Sequence, residues 1–289
     1  MSQETLTIRE ILRRTVPFLE NKGCQCPRLD AEVLLADALS TERIGLYLDM
    51  DRPLGDAEIE AFRERVRRRA RLEPVAYIVG VREFFSMPFA VDPRVLIPRP
   101  ETEFVVEAAQ EALEGVESPR IIDIGTGSGA IAIALARHLG GAPRILATDI
   151  SAGALEVARQ NALTLGAAQS IEFIQGDLFA GAAGPFDLIV SNPPYVPEAD
   201  RPSLRPDVAN YEPPAALFAG HDGLDAIRRL IQQSPAHLKN GGWLIFEIGY
   251  GQAPAVEALI EALPALAFEG VRADLAGIPR AVRARKIAD

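Results

Sequence analysis

The sequence RIIDIGTGSGAIAIALARHL, residues 120–139, contains an apolar strand, a glycine-rich loop and a helix in direct succession. Glycine at positions 125, 127 and 129 lets the backbone bend sharply and approach a ligand without a clash from a β-carbon. Strands and helices continue to alternate after this segment, with strands expected at 144–149, 171–174 and 186–190, and a turn followed by a buried strand over 241–249. This alternation predicts an α/β fold with right-handed βαβ units, in which helices cover both faces of a largely parallel sheet.

The first 80 residues show a different pattern. Apolar residues recur with helical spacing after Thr7, Asp30 and Asp56, and no segment has the alternation of a strand. We therefore expect a separate helical bundle over residues 1–80, a hairpin and proline-rich linker over 81–100, and the α/β domain over 101–289.

The third predicted helix carries six arginines between Arg63 and Arg71. They are interpreted either as a solvated face balanced by nearby glutamates, or as a local basic surface for an RNA-rich or acidic partner.

Composition limits the partners of the chain. The net charge of −10 over 289 residues argues against a broad nucleic-acid-binding surface, which needs many Lys and Arg contacts to phosphates. No apolar run approaches the roughly 18–20 residues of a membrane span, and the N-terminus does not resemble a signal peptide. Cys24 and Cys26 are expected to be reduced, and the three histidines are too scattered to indicate a metal site. We expect a cytoplasmic protein that binds neither metal nor membrane.

The strand expected at 186–190 ends in Asn192-Pro193-Pro194-Tyr195. Two prolines lack N–H groups and have a fixed φ, so the sheet ladder cannot continue beyond this point. A residue before proline is extended, and Asn192 should therefore project from the carboxyl end of the strand, where ligands bind in open α/β sheets.

The glycine loop is ambiguous when it is considered alone. Gly125, Gly127 and Ala130 also satisfy the dinucleotide fingerprint G-x-G-x-x-G/A, so a nicotinamide or flavin dinucleotide has to be considered. Asp149 ends the next strand and would bind ribose hydroxyls of either kind of ligand.

The third strand is followed by a second carboxylate, Asp177, beside apolar side chains. Asp177 can accept a hydrogen bond from an adenine amino group while Leu178 or Phe179 packs on the ring. This arrangement favours a compact nucleoside with a short reactive tail that reaches Asn192. It does not favour a ligand whose pyrophosphate extends along a helix.

The glycine loop, Asp149, Asp177 and the Asn-Pro-Pro-Tyr segment together resemble the class I S-adenosylmethionine-dependent methyltransferases. Asn-Pro-Pro-Tyr is similar to the motif of those that methylate planar amide or amino nitrogens. Residues 80–84, 96–102, 211–213 and 222–224 extend the likeness to the HemK/PrmC family, the peptide chain release factor N5-glutamine methyltransferases.

The resemblance implies a seven-stranded sheet with one antiparallel strand near the C-terminus. It implies S-adenosyl-L-methionine as cofactor, S-adenosyl-L-homocysteine as product, and methylation of the Gly-Gly-Gln glutamine of class 1 release factors by a monomer. The implied cofactor-binding residues are Gly125, Thr126, Gly127, Ser128, Gly129, Asp149, Asp177, Leu178 and Asn192. The implied glutamine-binding residues are Asn192, Pro193, Pro194 and Tyr195, of which Asn192, Pro193 and Tyr195 are the implied catalytic residues. Some relatives carry an aromatic residue at the position of Leu178.

These residues suit the methylation of an amide. An amide nitrogen is a poor nucleophile because its lone pair is delocalised into the carbonyl group. The side-chain oxygen of Asn192 and the carbonyl of Pro193 can each accept one N–H of the substrate, while Tyr195 packs on the flat amide. Glu247, at the end of a later strand, either faces this site or pairs with an arginine.

Other functions remain open from sequence. The same chemistry could act on a ribosomal-protein glutamine, or on the exocyclic amine of a base in DNA or rRNA, although such enzymes usually carry a basic domain and base-flipping elements. A nucleotide-binding regulator or a dehydrogenase could also use the glycine loop, but neither needs Asn-Pro-Pro-Tyr.

Overall fold

The computed structural model describes residues 6–287, which form two compact units. The first unit ends at Val81 and also includes Arg205–Tyr211, and the second comprises Arg82–Leu204 and the chain from Glu212 onward. The return segment Arg205–Tyr211 lies within the range that the sequence assigns to the α/β domain. The division of the chain into a helical domain, a linker over 81–100 and an α/β domain over 101–289 stays a prediction.

The first unit is helical. Its helices are α1 (Ile8–Asn21), α2 (Pro27–Ala38), α3 (Arg43–Leu48), α4 (Asp56–Arg69) and α5 (Val75–Val79). Thr7 caps α1 because its hydroxyl accepts from the N–H of Glu10, while the Glu10 carboxylate accepts from the N–H of Thr7. The side chains of Leu19, Leu35 and Phe62 are buried between the helices. The sequence did not indicate α3 and α5.

Five of the six arginines of the cluster lie in α4, and these five are paired with carboxylates. The ion pairs are Arg63–Glu60, Arg65–Asp37, Arg67–Glu60, Arg67–Glu64, Arg68–Glu73 and Arg69–Asp30. Arg69 and Asp30 are both buried, so this pair belongs to the packing of the unit. These contacts favour the interpretation of a charge-balanced helix face over a basic docking surface.

The second unit begins with a hairpin and contains a seven-stranded sheet. The hairpin strands are β1 (Val81–Phe84) and β2 (Met87–Ala90). The sheet strands are β3 (Arg120–Ile124), β4 (Arg144–Asp149), β5 (Ile171–Gln175), β6 (Phe186–Ser191), β7 (Leu238–Glu247), β8 (Leu266–Ala273) and β9 (Pro279–Lys286). Their order is β5-β4-β3-β6-β7-β9-β8, and β9 is antiparallel to both neighbours whereas the other pairs are parallel. The predicted α/β fold, with seven strands and one antiparallel strand, is confirmed.

Helices cover both faces of this sheet. They are α6 (Glu103–Ala112), α7 (Ala130–His138), α8 (Ala152–Thr164), α10 (Asp225–His237) and α11 (Ala253–Glu261), while α9 (Pro206–Tyr211) belongs to the first unit. Consecutive strand residues pack into opposite cores, because side chains alternate along a strand. Ile121 packs with α6 and α7, and the next residue, Ile122, packs with α10 and α11.

The strand order reverses between β4 and β6, which lie on opposite sides of β3. Ile124, the last residue of β3, is paired with Ser191, the last residue of β6. The glycine loop and Asn-Pro-Pro-Tyr therefore leave the sheet side by side. This is the position at which open α/β sheets bind ligands.

Candidate active site

The glycine loop after β3 is tied to the end of β4. The N–H groups of Gly125 and Thr126 both donate to the carbonyl oxygen of Thr148, at 2.8 and 2.9 Å. The N–H of Gly127 donates to Asp149 Oδ2 at 2.9 Å. Gly125 and Gly127 have φ angles of 70° and 56°, in the left-handed region that residues with a β-carbon rarely adopt. The loop is therefore a defined turn that only glycine forms without strain.

The three glycines differ in what surrounds them. A β-carbon on Gly125 or Gly127 would meet no atom of residues 6–287 within 4 Å, so the loop is open on that side. A β-carbon on Gly129 would lie 2.9 Å from Ile133 Cδ1 and 3.3 Å from Ala158 Cβ. Gly129 thus permits close packing of α7 against α8, while Gly125 and Gly127 leave space for a ligand.

The two hydroxyl residues of the loop are buried. Thr126 Oγ1 donates to Asp123 Oδ2 at 2.7 Å. The Ser128 carbonyl accepts from Asn161 Nδ2 at 2.9 Å, and Asn161 also bonds to the backbone of Ala90 in β2. The Thr126 hydroxyl is therefore occupied inside the protein.

Asp123 is a buried carboxyl that the sequence did not single out. Its Oδ2 accepts from Thr126 and from the N–H of Ala132, whereas its Oδ1 is buried and has no hydrogen-bond partner among the described residues. Burial, aided by the Asp149 charge, raises the pKa of Asp123 to about 7. An acidic residue in an apolar strand directly before a glycine loop was the available sequence signal.

Two further carboxylates lie at the ends of the next two strands, Asp149 as the last residue of β4 and Asp177 two residues after β5. Asp149 is held on both oxygens, because its Oδ1 also accepts from the N–H of Ser151 at 2.8 Å. Asp177 is exposed and its Oδ2 accepts from Arg229 at 2.7 Å. An adenine amino group at Asp177 would therefore have to share that carboxylate with a guanidinium group.

The two apolar residues after Asp177 lie in different places. Leu178 is half-buried with a φ of 52°, and its carbonyl accepts from Thr148 Oγ1 at 3.0 Å. Phe179 is buried and stacks on His237, with ring centroids 4.3 Å apart and an angle of 6° between the rings. Phe179 therefore belongs to the core, and Leu178 is the residue of the two that remains available to a ligand.

The Asn-Pro-Pro-Tyr segment leaves the sheet where the prolines predict, because β6 ends at Ser191. Ser191 Oγ donates to the carbonyl of Ile124 at 2.7 Å and so joins the ends of β6 and β3. Asn192 and Pro194 are half-buried, and Pro193 is buried.

Hydrogen bonds connect Asn192 to two residues distant in sequence. Asn192 Nδ2 donates to Thr102 Oγ1 at 2.9 Å, and Thr102 Oγ1 donates to Glu247 Oε2 at 2.5 Å. Tyr195 OH donates to the other carboxylate oxygen, Glu247 Oε1, at 3.0 Å. Glu247 therefore faces the site, and the arginine pairing that the sequence also allowed is not what holds its two oxygens.

Burial controls the ionisation of this group of residues. Burial raises the pKa of the Glu247 carboxyl, whereas the Thr102 and Tyr195 hydroxyls and the Arg280 charge act in the opposite direction. Burial and the neighbouring Glu247 charge raise the pKa of Tyr195. Tyr195 therefore keeps its proton and acts as a donor to Glu247.

Gln252 supports the backbone of Tyr195. Its Nε2 donates to the carbonyl of Tyr195 at 3.0 Å, and its Oε1 accepts from the N–H of Gly249 at 2.8 Å. A β-carbon on Gly223 would lie only 2.2 Å from the same Tyr195 carbonyl. The absence of a side chain at Gly223 thus allows the close approach of the Tyr195 carbonyl, which Gln252 holds, and neither residue was predicted as a site residue.

Residues 6–287 contain no group of three or more His, Cys, Asp or Glu side chains that could hold a metal ion. Within the same range, no helix is both long and apolar enough to cross a membrane.

The sheet order with its single reversed strand, together with the glycine loop, defines a class I methyltransferase. Residues 10–80 match the PrmC N-terminal domain, and residues 101–204 match the methyltransferase small domain. The chain is 46% identical to the release factor glutamine methyltransferase of Bradyrhizobium diazoefficiens, covering 96% of this chain and 95% of that protein. It is 40% identical to that of Deinococcus radiodurans, covering 97% and 99%. The chain belongs to the release factor glutamine methyltransferase family.

Solved structures agree with this fold. The chain is similar to a ribosomal protein L11 methylase from Lactobacillus delbrueckii subsp. bulgaricus, with a TM-score of 0.50, 25% identity and coverage of 72% of this chain and 90% of that one. It is also similar to a methyltransferase from Pyrococcus furiosus, with a TM-score of 0.53, 16% identity and coverage of 77% and 99%.

Proposed function

We propose that the protein transfers a methyl group from S-adenosyl-L-methionine to the side-chain amide nitrogen of the Gly-Gly-Gln glutamine in class 1 release factors. The observation that carries the proposal is the pairing of Ile124 with Ser191, because it brings the glycine loop and Asn192 to adjacent strand ends. Curated relatives at 40–46% identity supply the substrate class.

The residues around the glycine loop fit the cofactor. Gly125 and Gly127 leave open space where a β-carbon would stand, and Asp149 is oriented at the end of β4 to accept from ribose hydroxyls. Asp123 Oδ1, at the base of the loop, is a buried oxygen with no hydrogen-bond partner among the described residues, which suits a ligand that brings a donor. Asp177 and Leu178 would bind the adenine, with Arg229 sharing the carboxylate. When bound, S-adenosylmethionine supplies an electrophilic methyl group on a sulfonium.

The contribution of the protein to the reaction is positioning. Asn192 Oδ1 and the Pro193 carbonyl each accept one N–H of the substrate amide, which fixes the nitrogen and favours its more polarised transition state. The Tyr195 hydroxyl is directed to Glu247, so its ring is the part that packs on the amide and excludes water. Good alignment of two reactants can supply about 7–11 kcal/mol of a barrier in the best cases. The product proton leaves to water after transfer.

The direct test is a methylation assay with separate acceptors. The protein is incubated with S-adenosylmethionine and, in separate reactions, a purified class 1 release factor, DNA or rRNA, and each product is searched by mass spectrometry for a single added methyl group. We expect that group on the Gly-Gly-Gln peptide alone. Methyl on a nucleic acid, with none on this peptide, would refute the proposal.

Asn192→Ala tests the role of the asparagine. We expect transfer to be abolished and cofactor affinity, measured by calorimetry, to fall only moderately. Asn240→Ala is the matched control, since Asn240 is exposed near the opposite end of β7. Near-normal turnover of Asn192→Ala would contradict the proposed contact.

The proposal includes a monomeric protein that acts in the cytoplasm and forms no stable complex with nucleic acid. Light scattering in solution tests whether the protein is a monomer. A gel-shift assay with rRNA tests whether it forms a stable complex with nucleic acid. A stable dimer, or binding of rRNA at physiological salt, would contradict them.

A further inference from the structure

Resting on the proposed function, we propose that Thr102 and the Glu247 carboxylate are positioning residues that fix which end of the Asn192 carboxamide is presented to the substrate. The three side chains are joined by two consecutive hydrogen bonds, of 2.9 Å between Asn192 and Thr102 and 2.5 Å between Thr102 and Glu247. We name this chain of contacts the Asn192–Thr102–Glu247 relay.

The direction of the relay follows from counting protons. Both Glu247 oxygens accept, Oε2 from Thr102 and Oε1 from Tyr195, which is the pattern of an ionised carboxylate. These two donors, with the Arg280 charge, oppose the burial that raises the pKa of Glu247. A threonine hydroxyl has one proton, and after donating it Thr102 can only accept. Its partner Asn192 must therefore turn its NH₂ toward Thr102.

The consequence concerns the other end of the amide. With Nδ2 directed to Thr102, Asn192 Oδ1 is the atom left for a ligand, and it is the acceptor that a substrate NH₂ requires. If the carboxamide were turned by 180°, an NH₂ donor would meet the NH₂ of the substrate and neither group would have an acceptor. The relay therefore selects the rotamer of Asn192 that can hold an amide nitrogen.

The site is built to keep this arrangement. Glu247 is fully buried and Thr102 is 4% exposed, so water does not compete for their hydrogen bonds. The second hydroxyl, from Tyr195, occupies the remaining carboxylate oxygen and fixes Glu247 in turn. Ser191 pairs with Phe246 in the parallel ladder, which brings the next residues, Asn192 and Glu247, to the same edge of the sheet.

Two isosteric variants break the relay at different points. Thr102→Val removes the hydroxyl and keeps the shape of the side chain. Glu247→Gln keeps the shape but introduces an NH₂ donor, which can donate to Thr102 and free the Thr102 proton for Asn192 Oδ1. We expect each variant to lower kcat by about 10²-fold, in the range that follows the loss of one oriented hydrogen-bonding group. We expect KM for release factor and the Kd for S-adenosylmethionine to change less than threefold.

Two controls separate positioning from folding. Thr102→Ser retains the hydroxyl and should keep kcat within about fivefold of the native value. Glu32→Gln alters another buried carboxylate that accepts from a tyrosine hydroxyl, in the first unit, and should leave kcat unchanged. Equal loss of kcat in Thr102→Ser and Thr102→Val would overturn the proposal, as would native kcat in Thr102→Val.

A measurement without turnover distinguishes this inference from the proposed function. The side-chain NH₂ signals of Asn192 are assigned in a nitrogen-15 NMR spectrum by their loss in Asn192→Ala. We expect one of the two protons to shift in Thr102→Val and not in Thr102→Ser. An unchanged Asn192 signal in Thr102→Val overturns the relay, whereas failure of the native protein to methylate release factor overturns only the proposed function.

Discussion

Replacing Asp123 by asparagine should change how the stability of the protein depends on pH. The carboxyl is completely buried, and one of its oxygens has no partner among the described residues. Its pKa rises from 3.8 to about 7, chiefly because burial disfavours the charged form. Asparagine has the same shape, carries no charge, and can still accept from Thr126 and Ala132.

The sign follows from proton binding. Between pH 3.8 and 7 the folded state retains a proton on Asp123 that the unfolded state has lost, so the free energy of unfolding falls as pH rises through this window. Each tenfold difference in proton affinity is worth about 1.4 kcal/mol, which gives a cost of about 4 kcal/mol once Asp123 is ionised at pH 8. Asp123→Asn does not bear this cost, and we expect it to be the more stable protein at pH 8 by up to about 4 kcal/mol.

Urea unfolding without cofactor measures this difference. The chain has a single tryptophan, Trp243, in β7 of the same sheet, so its fluorescence reports the unit that contains Asp123. The gap between variant and native protein should widen from pH 5 to pH 8. Asp92→Asn is the control of opposite sign, because Arg94 lowers the pKa of Asp92 and that variant should be the less stable at pH 8. A gap for Asp123→Asn that stays constant from pH 5 to pH 8 would refute the reasoning.

Three further variants test the structure around the site. Gly127→Ala places a β-carbon at a φ of 56°, with no atom of the described residues within 4 Å, so it should cost about 1 kcal/mol of stability. Calorimetry should show a larger loss in the binding free energy of S-adenosylmethionine. Asn161→Ala removes two partly buried hydrogen bonds to the hairpin and one buried hydrogen bond to the glycine loop, and urea unfolding should show a loss of about 2–4 kcal/mol. Gly223→Ala would bring a β-carbon within 2.2 Å of the Tyr195 carbonyl, so kcat in the release-factor assay should fall. Gly251→Ala is the control and should retain kcat, because its β-carbon would have no neighbour among the described residues within 4 Å.

The fold was predictable because its signals are local. Periodic apolar residues identified the long helices and the buried strands. The alternation of strands and helices along the chain predicted a largely parallel sheet. The same reasoning missed α3 and α5, because helices of six and five residues are too short to show a period.

The site was predictable only in part. The proximity of the glycine loop and Asn192 followed from the rule that parallel strands end at the same edge of the sheet. The residues that support Asn192 could not be predicted from the sequence. Thr102 and Asn192, for example, are 90 positions apart and meet only through the tertiary fold. The sequence allowed either Leu178 or Phe179 to pack on the adenine ring. In the structure Leu178 has a left-handed backbone conformation and Phe179 is buried in the core.

The register of one strand pair determines whether the site can work. Because β6 and β7 are parallel and Ser191 pairs with Phe246, the next residues along each strand reach the sheet edge together. Side chains alternate between the two faces of a sheet, so a shift of one residue in β7 would turn Glu247 to the other face and bring a different residue beside Asn192. Two hydrogen bonds oppose such a shift. Tyr195 OH donates to Glu247, and Gln252 donates to the carbonyl of Tyr195. The prolines fix where β6 ends, and the hydrogen bonds of Glu247 and Gln252 fix β7 against it. The orientation of Asn192 is thus a consequence of strand pairing, which explains why residues outside Asn-Pro-Pro-Tyr are needed to make that segment competent to hold an amide.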